Sequence, residues 1–161
     1  MSAPDVNDKT ANDDVWLQYA LMLAARAEAD GEVPVGAVLV RDNEIVGEGW
    51  NQVINRADPT AHAEIQALRN AGHRLGNYRL PDTQLFVTLE PCIMCAGAII
   101  HARVSTVIYG AMDPKAGACG SVFDILPSDR RFNHSTTCRR ASPANSEHCA
   151  DLLRQFFRKR R

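Results

Sequence analysis

The apolar pattern predicts an α/β protein, with a sheet of about five strands flanked by helices. Gln84–Leu89 is a strand-like run, an Ala/Ile-rich helical stretch follows to about His101, and the β-branched Val104–Tyr109 comes next. Strand, helix, strand in this order makes a parallel pair with a right-handed crossover. Upstream, Gly36–Val40 and Ile45–Trp50 flank the turn Arg41–Glu44 and read as a hairpin. Helix-spaced apolar residues near both ends of the chain supply the flanking layers.

In chain order, residues 1–12 read as a disordered acidic lead-in, and residues 13–161 as a single domain. Asn12 or Asp13 caps a first helix that buries Trp16, Ala20, Leu23 and Ala27 and ends at Gly31. After the hairpin, Asn51–Thr60 is a loop punctuated by Asp58-Pro59. Thr60 caps a second helix whose buried side carries Ile65, Leu68 and Ala71. Gly72, Gly76 and Pro81 break the chain before the third strand. Beyond Tyr109 comes a glycine-rich loop from Gly110 to Gly120, then a short helical turn over Ser121–Leu126. A weak fifth strand follows around Ser135–Arg139. A last helix, from about Ser146, carries Leu152, Leu153, Phe156 and Phe157.

Hydrophobic residues make up 45% of the 161 and charged residues 23%, the balance of a water-soluble domain. No apolar run reaches the roughly 18 residues of a membrane span. The polar, acidic N-terminus does not read as a secretory signal. Five cysteines, two of them in Cys92-x-x-Cys95, suit a reducing cytoplasm and a metal or redox role better than a disulfide framework. The net charge is −1, but it is unevenly spread. Residues 1–14 hold four aspartates against Lys9, a sum of −3, and residues 151–161 hold five Lys and Arg against Asp151, a sum of +4. By itself that basic end is a solvated helix terminus, where cations complement the dipole.

The chemistry gathers on two helix starts. Cys92 and Cys95 follow a strand and open a helix, where free amides and the positive dipole end favour thiolates. Alone they fit a soft metal or a thiol-redox pair equally. His62, in Thr60-Ala61-His62-Ala63-Glu64, adds an imidazole. One imidazole and two thiolates leave a fourth tetrahedral position for water, the count of a catalytic zinc site, and zinc lowers the pKa of such water to about 7. Glu64, two residues past His62, is free of the metal and available to move protons.

His62-Ala63-Glu64 followed by Pro91-Cys92-Ile93-Met94-Cys95 is the zinc deaminase signature. Val33–Val38, Gly47–Asn51, Asp58–Ile65, Asn77–Leu80 and Val87–Cys92 resemble the bacterial tRNA-specific adenosine deaminase family. Cys95–Arg103, Asp113–Gly117 and Phe156–Arg158 do so too. The likeness runs from about Val15 to Asp124 and resumes in the last helix. Met112 stands where the family commonly has a basic residue, and residues 127–145 match poorly.

The resemblance implies a three-layer α/β/α cytidine deaminase-like fold around a five-stranded mixed sheet. It implies hydrolytic deamination of adenosine to inosine at the wobble position of a tRNA anticodon, with tRNA-Arg as the expected substrate. It implies a cytoplasmic homodimer with one Zn2+ per subunit, binding the anticodon stem-loop and no membrane. By matching positions, His62, Cys92 and Cys95 bind zinc and Glu64 is the catalytic proton shuttle. Asn51 hydrogen-bonds the target base, the Ala63 carbonyl accepts from the amino group at C6, and Asp113 contacts nucleotides beside the target. Phe157 and Arg158 hold the anticodon loop, which gives the basic end a phosphate-contacting role. Cys119, Cys138 and Cys149 are ordinary thiols, and no other histidine is assigned to the metal. The alternatives are a guanine or cytosine deaminase of the same superfamily, a zinc-containing RNA-binding module without catalysis, and a thiol-redox enzyme.

Overall fold

The computed structural model describes residues 6–160. Its elements are α1 (Val6–Ala29), β1 (Gly36–Arg41), β2 (Glu44–Trp50), α2 (Ala63–Leu75), β3 (Gln84–Leu89) and α3 (Ile93–His101). Then come β4 (Thr106–Ala111), a 3-10 turn (Arg130–Phe132), β5 (Thr137–Arg140) and α4 (Pro143–Lys159). The sheet order is β2-β1-β3-β4-β5. β1 pairs antiparallel with β2 and β3, whereas β3–β4 and β4–β5 are parallel. This is the mixed five-stranded sheet expected from the sequence, with the crossover helix α3 where it was expected.

Strand alternation divides the interior into two cores. Leu39, Leu85, Val87 and Val107 face α2 and α3 with Ala67, Leu68, Ala96 and Ile99. Val38, Val40, Phe86 and Ile108, their neighbours along the same strands, face α1 and α4 with Leu17, Ala20 and Cys149. The central strands β1, β3 and β4 are buried on both faces because both are covered, the usual pattern of a sheet between helical layers. The β1–β2 turn runs through Asp42 and Asn43, both at positive φ, the conformation that matches hairpin twist.

Several boundaries differ from the sequence expectation. α1 begins at Val6, so Asn12 and Asp13 lie inside it, while residues 1–5 of the expected lead-in fall outside the described residues. Thr60 does not cap α2. It donates its hydroxyl to Asp58 Oδ1 at 2.7 Å, and His62 takes the cap position with no side-chain cap bond. β4 starts two residues later than expected. Ser121–Leu126 forms no helix, only the isolated bridge Cys119–Asp124. α4 starts earlier, at Pro143, because Ser142 accepts from the Asn145 N–H and Pro143 is preorganised for the first helical position.

The helix α2 lies unusually close to β2. A Cβ on Gly49 would come 2.4 Å from the Ala63 carbonyl oxygen and 2.5 Å from the Ala67 nitrogen. Only glycine lets the two backbones touch here, and that contact sets the height of the α2 N-terminus above the sheet.

Candidate active site

Two helix N-termini converge at the C-terminal end of β3. His62 is the N-cap of α2 and Cys92 the N-cap of α3, both in extended backbone, so neither side chain is committed to its own helix. Cys95 follows on the first turn of α3. The sequence expectation put both cysteines on that turn; the structure sets Cys92 just ahead of it. His62 Nδ1 lies 3.6 Å from Cys92 Sγ and 3.5 Å from Cys95 Sγ. The three donor atoms all lie within 4.8 Å of one another.

That spacing fits zinc. Tetrahedral bonds of about 2.3 Å to sulfur and about 2.0–2.1 Å to nitrogen put adjacent S and N donors about 3.6 Å apart. No other group of three His, Cys, Asp or Glu ligands among the described residues comes together in this way.

The electrostatics follow from the close approach of the two thiols and the imidazole. The Cys92 thiol is pushed down to about 4, chiefly by the hydrogen bond with Cys95 and also by His62. Cys95 is pushed up by the same Cys92 contact and by burial. His62 is raised by its hydrogen bond with Cys92. Glu64, only 4% exposed, is raised because burial disfavours its charged form.

A cleft of about 320 Å³ opens beside this cluster, and Asn51, His62, Ala63, Glu64, Cys92 and Asp113 line it. Asn51 Nδ2 donates to the Val33 carbonyl at 3.4 Å, which orients the amide. Its Oδ1 is buried with no partner among the described residues. Ala63 also lines the cleft: its carbonyl oxygen lies beside Gly49 of β2, and its N–H, at the first position of a helix, has no intrahelical acceptor.

Phe157 and Arg158 are not in the cleft. They lie on the last turns of α4, in the layer on the opposite face of the sheet from α2 and α3. Phe156 is 5% exposed and packs inward, while Phe157 is 52% exposed. The remaining cysteines are free thiols away from the ligand cluster; Cys149 sits in the α1–α4 core, where burial pushes it up to about 12.

Two buried carboxylates brace the cleft: Glu32, to which the sequence reading gives no role, and Glu90, which with Pro91 is expected from the sequence to set the chain entry that aims Cys92 and Cys95 at the metal. Glu32 accepts from the Ile54 N–H at 2.9 Å and the Asn55 N–H at 3.3 Å, and so holds the loop that starts at Asn51. Glu90 sits under the opposite wall of the cleft. The one available signal was a glutamate abutting an apolar run, Glu32 before Val33-Pro34-Val35 and Glu90 after β3.

Residues 10–111 match the family described as the cytidine and deoxycytidylate deaminase zinc-binding region. The tRNA-specific adenosine deaminase of Haemophilus influenzae is 53% identical over 150 residues, covering 92% of this chain and 85% of that protein. A solved structure from studies of A-to-I editing by tRNA:A34 deaminases superposes with a TM-score of 0.80 at 39% identity, covering 87% of this chain and 99% of that one. A guanine deaminase from Bacillus subtilis is more distant, with a TM-score of 0.61 at 34% identity, covering 91% of this chain and 93% of that one. Identity of this order, sustained over nearly its whole length, means that the chain belongs to the tRNA-specific adenosine deaminase family.

Proposed function

We propose that this protein hydrolyses adenosine at the wobble position, 34, of a tRNA anticodon, with tRNA-Arg as the expected substrate. Adenosine and water become inosine and ammonia. The observation that carries the reading is the cleft itself, which brings His62, Cys92 and Glu64 beside an orphaned acceptor on Asn51.

His62, Cys92 and Cys95 hold the metal. When bound, zinc supplies Lewis-acid activation of water at neutral pH. Glu64 takes one proton from the attacking water and gives it to the purine ring nitrogen. It then takes the second from the new hydroxyl at C6 and gives it to the leaving amine, so that the C6 carbonyl of inosine forms as ammonia departs. Its burial serves this role, because a carboxyl that is costly to charge is held above the usual carboxylate range and so accepts a proton more readily. Asn51 Oδ1 offers an acceptor to the target base, and the Ala63 N–H offers a donor beside C6. A stacked base cannot reach the cleft, so the nucleotide is extruded, at a cost of a few kcal/mol that is smaller in a loop than in a duplex.

Asp113 meets nucleotides beside the target, and Phe157 and Arg158 hold the anticodon loop. Their distance from the cleft fits an RNA that reaches across more than one subunit. The groove of about 660 Å³ between α2 and α3, lined by Ile65, Leu68 and Ala98, supports a homodimer. A monomer mass by light scattering would remove that part. Cytoplasmic work fits five free thiols, and no helix among the described residues is long and apolar enough to cross a membrane.

The deciding experiment incubates the protein with an arginine anticodon stem-loop and, separately, with free guanine, cytosine and adenosine. Reverse transcription of the treated stem-loop should read A as G at the wobble position. Turnover of free bases alone would replace this reading with the guanine or cytosine deaminase alternative.

A further inference from the structure

One wall of the cleft is the segment from Met112 to Ser121, which has no helix or strand of its own. It is wound on Glu90, the residue after β3, which is only 2% exposed. Glu90 Oε1 accepts from the Asp113 N–H at 3.1 Å and from the Ser121 hydroxyl. Oε2 accepts from the Cys119 N–H at 2.9 Å and the Ser121 N–H at 3.2 Å. A Cβ on Gly117 would fall 2.3 Å from the same Oε2, so glycine makes the room the carboxylate fills.

These bonds all go to the loop, and none goes to the cysteine turn next in sequence. Both ends of the loop hang on the same dipeptide, through Glu90 N–H to the Ala111 carbonyl at 2.8 Å and Ala118 N–H to the Pro91 carbonyl at 2.8 Å. Within the loop, Asp113 Oδ1 accepts from the N–H groups of Lys115 and Ala116 at 3.0 and 3.2 Å. The segment is therefore a braced unit whose placement depends on one buried side chain.

We propose that Glu90 is a positioning residue for substrate selection. It sets Asp113 and Ala116 at the rim of the cleft and thereby decides which nucleotides are accepted on either side of the target. A cleft of about 320 Å³ takes one base, so its rim meets that base's neighbours. The inference rests on the reading of the cleft as the site of wobble-adenosine deamination.

Glu90→Gln keeps the volume but replaces one acceptor oxygen with a donor facing N–H groups. Ser121→Ala removes a single bond and leaves the carboxylate in place. The test measures kcat and KM on an arginine anticodon stem-loop and on stem-loops with the two bases flanking the target exchanged, with zinc per chain determined for each variant. For Glu90→Gln we expect at least a tenfold loss of kcat/KM on the natural loop, carried by KM. The preference for natural flanks should fall toward one while zinc stays at one per chain. Ser121→Ala should shift the preference the same way by less.

An equal loss on every stem-loop with the preference intact, or a loss of zinc, would make Glu90 a support of the metal centre and overturn the proposal. If Glu90→Gln does not fold, an unchanged preference in Ser121→Ala overturns it. A wild-type protein inactive on every stem-loop would instead refute the functional reading, and the inference with it.

Discussion

Replacing Arg158 with Ala should flatten the salt dependence of anticodon stem-loop binding by about one phosphate contact, and replacing Arg160 should not. The difference comes from how α4 ends. Arg154 is paired with Glu147 and Asp151, and Lys159 stands 3.9 Å from Glu28. Arg160 donates to the Gly31 carbonyl at 2.7 Å and lies 4.4 Å over the Phe156 ring. Among the described residues, Arg158 is the tail cation with no ion-pair or hydrogen-bond partner. One released counterion per phosphate changes the slope of log K against log salt by about 0.7–0.9. Between 50 and 200 mM salt that is a difference of about threefold in affinity ratio. Arg160→Ala should leave the slope alone and cost about 1 kcal/mol of stability through the lost bond and ring contact. The assay is fluorescence anisotropy of a labelled stem-loop from 50 to 200 mM KCl, in a Glu64→Gln background so that the RNA is not turned over. An unchanged slope in Arg158→Ala, or an equal drop in Arg160→Ala, would refute the assignment of the free charge.

Glu64→Gln should lower kcat by about 100- to 10,000-fold, the range for a positioned proton-transfer group, with zinc content and stem-loop affinity unchanged. A rate within tenfold of wild type would take the proton shuttle away from Glu64. Gly49→Ala should cost about 1–3 kcal/mol, because its Cβ would fall 2.4 Å from the Ala63 oxygen and α2 must move. In a protein of this size that lowers Tm by about 2–4 °C per kcal/mol, and activity should fall with it, since His62 and Glu64 ride on α2. An unaltered melting curve would show that α2 does not rest on Gly49.

The strands and the zinc ligands were legible in the sequence for a local reason. Gln84–Leu89 holds the unbroken apolar run Leu85-Phe86-Val87, and Cys92 and Cys95 follow it at a spacing that a helix start turns into one donor pair. His62 and Glu64 repeat the device on α2. Boundaries were read less well where a second signal competed. Thr60 is a good cap in isolation, but Asp58 takes its hydroxyl and hands the cap position to His62. Ser121–Leu126 has a helical look, yet its first residue is spent on Glu90.

By itself, then, the sequence determined the chemistry, because ligand identity and close spacing are local properties. Tertiary structure decided which charges are available and which are used up. Arg160 meets Gly31 across 129 residues, and Glu90 meets Ser121 across 31. It also decided where the Ala63 carbonyl lies, since that depends on how closely β2 approaches α2 at Gly49. No local pattern encodes these meetings, for a buried carboxylate or a spent arginine has its meaning only from the partner the fold brings to it.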